Sequence, residues 1–223
     1  MLAETNAAFA RRPDVGAVTK ALDLFLAAAR ADDTRVDGLL GAADASAWLI
    51  EHEADGARRS ALATQAVQAC QWCVRRATAS VDCKYRLALA LGQQARERRS
   101  TGADALPRIV SLLEEVIAEA PRLDDAGGHG VLGLVLLRAP GWPAGLGDPG
   151  AGLEHARKAD ELVPDNPQNL LVLGEALAAN GSTDGARLAY GRAETLARAA
   201  AAAGNPDAVE WAQSATRALK GLR

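Results

Sequence analysis

Cys70 and Cys73 form a C-x-x-C, and Cys83 follows ten residues after Cys73. Such a dithiol can do redox chemistry in a thioredoxin-like βαβ setting, or supply part of a zinc site. Neither setting is present. Cys70 and Cys73 fall where small apolar residues pack a helix, and three is an odd count for a disulfide framework, so the expectation is buried, structural thiols. Gly145-Leu-Gly147-Asp-Pro-Gly150 matches the G-x-G-x-x-G of dinucleotide sites. That chemistry needs a strand running directly into the glycines; here Pro140-Gly-Trp-Pro143 intervenes, and the glycines read as turn residues. His52, His129 and His155 share no metal-ligand spacing. No G-x-S-x-G occurs, and no serine has a base at helical spacing. The chain is expected to be no enzyme and to need neither cofactor nor metal. What remains is the chemistry of a binding surface, and the elements that would carry it.

Those elements repeat. Gly152, Ala156 and Ala159 are matched 34 residues later by Ala186, Tyr190 and Ala193, with Pro164 and then Leu170, Leu173, Gly174 and Leu177 between them. This is the register of a tetratricopeptide unit. A ladder of small residues on one helix lets an antiparallel partner approach closely, and a large residue fills the gap to the next pair. The signature runs back up the chain: Leu91-Gly92, Leu132-Gly133 and Leu173-Gly174 are each 41 residues apart. Earlier ladders are Ala21/Phe25/Ala28, Ala66/Cys70/Cys73 and Ile109/Leu113/Val116. The expected fold is all-α: a tetratricopeptide-like, right-handed solenoid of helical hairpins with a C-terminal capping helix. It is read as a single domain over 1–223, with a short lead segment at 1–13 and an inserted Pro/Gly/Trp loop at 139–150.

Composition agrees. The chain has 223 residues, of which 49% are hydrophobic and only 4% aromatic, with alanine dominant. That favours closely packed helices over a sheet core. A formal charge of −3 offers no electrostatic basis for nucleic acid or an acidic membrane. No run approaches the roughly 20 apolar residues of a spanning helix. As it stands the chain reads as cytoplasmic, or as periplasmic if an export segment has been removed.

Helices are predicted at about 4–11, 14–31, 35–51, 57–78, 81–98 and 105–119, then one ending near Leu137, then 149–163, 167–180, 183–202 and 205–221. Asp124 or Asp125, Asp148 before Pro149, and Asn205 before Pro206 are the expected caps.

At the inserted loop the residues become more specific. Leu132-Gly133, Leu136-Leu137-Arg-Ala-Pro140-Gly141-Trp142-Pro143, Gly147-Asp148 and Val163-Pro164-Asp-Asn166 together resemble the T-component (TatT-like) family, which accompanies tripartite ATP-independent periplasmic (TRAP) transporters. Val81 to Gly92 and Asn169 to Leu177 look like helices of the same family, and the resemblance covers roughly residues 60–195. It implies an accessory protein that binds a small apolar ligand, or a protein partner such as the transporter's substrate-binding component. The alternative is a cytoplasmic scaffold that binds a peptide segment of a partner protein. Homo-oligomerisation stays open in either reading.

In a tetratricopeptide array the Leu-Gly helices line the concave face. Aligning them on Ala88, His129 and Leu170 places Arg86, Leu89 and Gln93 on that face, then Gly130, Leu134 and Arg138, then Leu171 and Glu175, with His129 a further binding candidate at a packing or near-groove position. The leucines form an apolar centre and Arg86, Arg138 and Glu175 a polar rim. Trp142 either pins its loop or lines the mouth. The competing expectation is that the leucines touch neighbouring or capping helices.

Overall fold

The computed structural model describes residues 2–12, 14–141 and 143–222. Regular structure among them is helical, apart from an isolated bridge between Gly141 and Gly147. The helices are α1 (Leu2–Phe9), α2 (Val15–Ala31), α3 (Asp37–His52), α4 (Gly56–Arg76), α5 (Val81–Glu97), α6 (Gly102–Glu119), α7 (Leu123–Arg138), α8 (Pro149–Leu162), α9 (Pro167–Ala179), α10 (Thr183–Ala202) and α11 (Ala208–Gly221). The expected helices are therefore present, with ends moved by a few residues.

Several of the boundaries follow from side-chain chemistry. Asp14, Asp55, Ser80 and Asp148 each accept a hydrogen bond from the backbone N–H three residues on, and Asn166 accepts from Gln168 and Asn169. These residues satisfy N–H groups that a helix start leaves without partners. Pro149 and Pro167 occupy the first helical turn, where no N–H is needed.

Two expected caps are corrected. Asp124 and Asp125 do not cap α7: with Ala126 they take left-handed angles, φ 50°, 56° and 63°. Asp125 instead accepts from Asn166 Nδ2 through its carboxylate, and from Asn169 Nδ2 through its backbone carbonyl. Asn205 accepts from the N–H of Asp207, so α11 starts after Asp207 rather than at Pro206.

The chain divides into two compact units, Met1–Glu115 and Val116–Arg223. In the first, each of α1 to α5 packs on its sequence neighbour, and α3 also touches α5. Val18, Leu22, Phe25, Leu39, Leu49, Cys73 and Cys83 belong to its core. In the second, α7 to α11 pack in the same sequential way, and α9 touches both α7 and α11. This is the pattern of stacked helical hairpins, in which alternate helices form a layer of their own.

The ladders explain why the hairpins close so tightly. A Cβ built on Gly41 would lie 2.3 Å from a ring carbon of Phe25, and one on Gly174 would lie 2.5 Å from a ring carbon of Tyr190. In each unit, then, the large ladder residue seats its ring on a glycine of the partner helix. Ala66, Cys70, Cys73, Ile109, Leu113 and Val116 are all buried, as the repeat register requires. The earliest ladder ends on buried Ala29 rather than on Ala28.

One expectation about the cysteines is overturned. Cys73, in the last turn of α4, is disulfide-bonded to Cys83 in the first turn of α5, with Cα atoms 5.4 Å apart. Folding the hairpin brings the ends of its two helices together, and an odd count does not prevent one pair from forming. Cys70 remains a buried thiol.

Candidate functional site

In the first unit, three sequence-selected residues lie on the side of α5 that meets α3. Arg86 donates from Nε to Asp44 Oδ1 at 2.6 Å, and its side chain is only 19% exposed. Gln93 donates weakly to the Ala47 carbonyl at 3.5 Å. Leu89 is half-buried between Arg86 and Gln93 in sequence. Further along the same helix, Arg96 pairs with Glu51 at 2.7 Å. The result is a column of polar rungs joining α3 to α5.

In the second unit, Arg138 of α7 and Glu175 of α9 form a two-pronged ion pair, Nε to Oε1 at 2.7 Å and Nη2 to Oε2 at 2.6 Å. The hydrogen bonds to Glu175 hold Arg138 still more firmly protonated than usual. Burial, with the Glu175 carboxylate nearby, raises the pKa of the Tyr190 hydroxyl. Leu134 and Leu171 each stand four residues before a member of this pair, one helical turn along the same faces. Both are half-buried. Leu171 packs against a cluster formed by Leu170, Ala193 of α10 and Ala215 of α11.

His129, 8% exposed, meets His155 of α8 with their Nδ1 atoms 2.9 Å apart. One nitrogen must carry the proton and the other accept it. Burial lowers the pKa of His129, and His155 and Lys158 lower it further. His129 therefore joins α7 to α8 and is not part of the α7/α9 face. Trp142 lies outside the described residues.

Two features follow from the register without being evident in it. Asp44/Arg86, Glu51/Arg96 and Arg138/Glu175 are opposite charges between 37 and 45 residues apart, about one repeat. That offset fits the repeat, but the shift of one helix along the next decides whether the charges meet. In the expected polar rim, Arg86 and Arg138 are thus matched by carboxylates within each unit. The loop 139–150 is closed by its own backbone: Gly147 N–H donates to Pro140 O at 2.8 Å and Asp148 N–H to Leu136 O at 2.9 Å. A Cβ on Gly147 would lie 2.1 Å from Ala139 O, so this part of the G-x-G-x-x-G run answers to backbone packing.

Among the described residues no group of three or more His, Cys, Asp or Glu could hold a metal ion, and no helix is long and apolar enough to cross a membrane. Comparison with protein-family models gives no match, and comparison with curated proteins gives none. Solved structures do match. TTC0263, a thermophilic tetratricopeptide protein of Thermus thermophilus, superposes with a TM-score of 0.64 at 21% identity, covering 89% of this chain and 91% of that one. The fold is tetratricopeptide-like. MamA matches with a TM-score of 0.53 at 19% identity over 83% of this chain and 92% of its own. A double mutant of MamA RS-1 gives 0.55 at 20% identity over 82% and 87%. At these identities the likeness concerns the helical-repeat fold, not the ligand or partner.

Proposed function

We propose that the chain is a non-enzymatic binding protein that works outside the reducing cytosol, as an accessory T component of a TRAP-type transporter would. The observation that carries this reading is the α7/α9 face, where half-buried Leu134 and Leu171 stand one turn from the Arg138–Glu175 pair. Such a surface offers apolar area beside polar groups that are already oriented, which suits a small apolar ligand or an apolar side chain of a protein partner. In the first unit, Leu89 between Arg86 and Gln93 is the corresponding candidate. The Cys73–Cys83 disulfide favours an exported accessory protein over a cytosolic peptide-binding scaffold, because such bonds persist mainly in oxidising compartments. The resemblance of the 132–148 and 163–177 segments to T components supplies the transporter link.

Leu134→Glu tests the face. If it is open, the variant keeps its helical circular dichroism and loses whatever ligand or purified substrate-binding component the parent retains. If Leu134 is sealed by the protein itself, an unpaired carboxylate is buried at a cost of several kcal/mol and the helices melt. Melting would remove this face from the proposal. Thiol counting on protein taken directly from cells tests the compartment: two free thiols more than the oxidised form would favour the cytosolic scaffold.

A further inference from the structure

A separate feature occurs on the exposed side of α4. Gln71, Val74 and Arg75 share one face of that helix, and with Arg108 of α6 they line a cleft of about 330 Å³. That volume is at the small end for small-molecule sites. Beside it Trp72 is 53% exposed. The Arg75 guanidinium lies 4.6 Å from the centroid of the Trp72 ring, and its Nε donates to the Gln71 carbonyl at 3.4 Å. The side chain is thereby held in place by groups that leave its charge unmatched.

In the same unit Arg35, Arg58, Arg59, Arg86 and Arg96 each meet a carboxylate, while Arg76 and Arg98 are held by carbonyl and hydroxyl oxygens. Among the described residues Arg75 and Arg108 form no such pair. Two guanidiniums facing one cavity repel each other, and an oxyanion between them would replace that repulsion with charge-assisted hydrogen bonds. Arginine suits carboxylate and phosphate because its planar fork matches their geometry. The Gln71 amide can add a donor, and Val74 supplies an apolar wall.

We propose that the α4/α6 cleft binds a small organic oxyanion, a carboxylate or a phosphate monoester, held by Arg75 and Arg108 with its apolar body against Val74. The site lies wholly within the first unit and does not depend on the α7/α9 face.

The test is calorimetric titration of the full chain with hexanoate, hexyl phosphate, hexanol and inorganic phosphate, alongside tryptophan fluorescence. Hexanoate or hexyl phosphate should saturate one site, and the better of the two identifies the head group. Binding should change the emission, and Trp72→Phe should abolish that change while calorimetric binding persists. Arg75→Ala and Arg108→Ala should each weaken binding at least tenfold while circular dichroism is unchanged, and Arg108→Lys should recover part of the loss. The proposal is overturned if neither anion saturates, if the alanine variants bind like the parent, or if hexanol binds as well as hexanoate. Inorganic phosphate binding as tightly as hexyl phosphate would overturn the assignment to an organic ligand.

Discussion

A methyl group added at Gly174 would stand 2.5 Å from ring carbon Cε1 of Tyr190, whereas one added at Gly92 would meet nothing within 4 Å. The two glycines hold the same place in a repeated Leu-Gly pair, so their substitutions separate packing from propensity. Gly174→Ala should destabilise by about 1–3 kcal/mol through overpacking, and Gly174→Leu by more. Gly92→Ala should raise stability by about 0.5–1 kcal/mol, because alanine restricts the unfolded chain and favours a helix. Urea midpoints of the two alanine variants read both effects, and equal shifts would mean that the repeat register is wrong. At His129 the prediction concerns pH. Burial, His155 and Lys158 place its folded pKa below its unfolded one, so the folded state favours the neutral ring. The stability linked to that ring is complete above the unfolded value of about 6.5 and is lost as pH falls through the lowered folded value. Urea midpoints measured from pH 8 to pH 5 should fall in the acid limb, and His129→Gln should flatten that fall.

At the scale of an element, the α4/α5 hairpin is the part whose covalent state matters. The Cys73–Cys83 bond closes a separation of 10 residues, for which loop-closure entropy gives about 2–3 kcal/mol. Reduction, or the double change Cys73→Ser with Cys83→Ser, should lower the unfolding free energy obtained from urea titration by that amount. Cys70 should take no part: burial pushes its thiol up to about 12, with Asp44 adding to the effect, so it has little thiolate at neutral pH. It should resist iodoacetamide in the native protein and react in urea. The helices themselves were legible because the ladders, the Leu-Gly pairs and a cap such as Asp148 act locally. The disulfide was not, since spacing cannot say which thiols a tertiary turn will bring together. Nor was the left-handed entry to α7, where two aspartates look like caps until Asn166 and Asn169 are seen to hold Asp125.

At the scale of the molecule, hairpin stacking was readable, while of the proposed binding face only the spacing was. Period selects Leu134 and Leu171, and they do share a half-buried face with Arg138 and Glu175. Period alone could not show that those two charges spend their hydrogen bonds on each other, because that depends on how far one helix is shifted along the next. His129 is buried, as a packing position would be, and its ring turns toward α8. The fold sets where side chains stand; which of them remain available is decided by the nearest opposite charge.

The left-handed stretch at Asp124, Asp125 and Ala126 carries a consequence for where this molecule breathes. Each non-glycine residue in that region costs roughly 1–2 kcal/mol relative to a right-handed helix, less for aspartate. The regular ladder is weak there as well, with Ala126 N–H reaching Arg122 O only at 3.4 Å. Local opening should therefore begin at the start of α7. In deuterium exchange, the amides of residues 124–127 should exchange well before those of 129–137. Asn169→Ala removes the donor to the Asp125 and Ala159 carbonyls and should hasten that opening further. Uniform protection along the whole of α7 would show that the bend is as firmly held as the helix behind it.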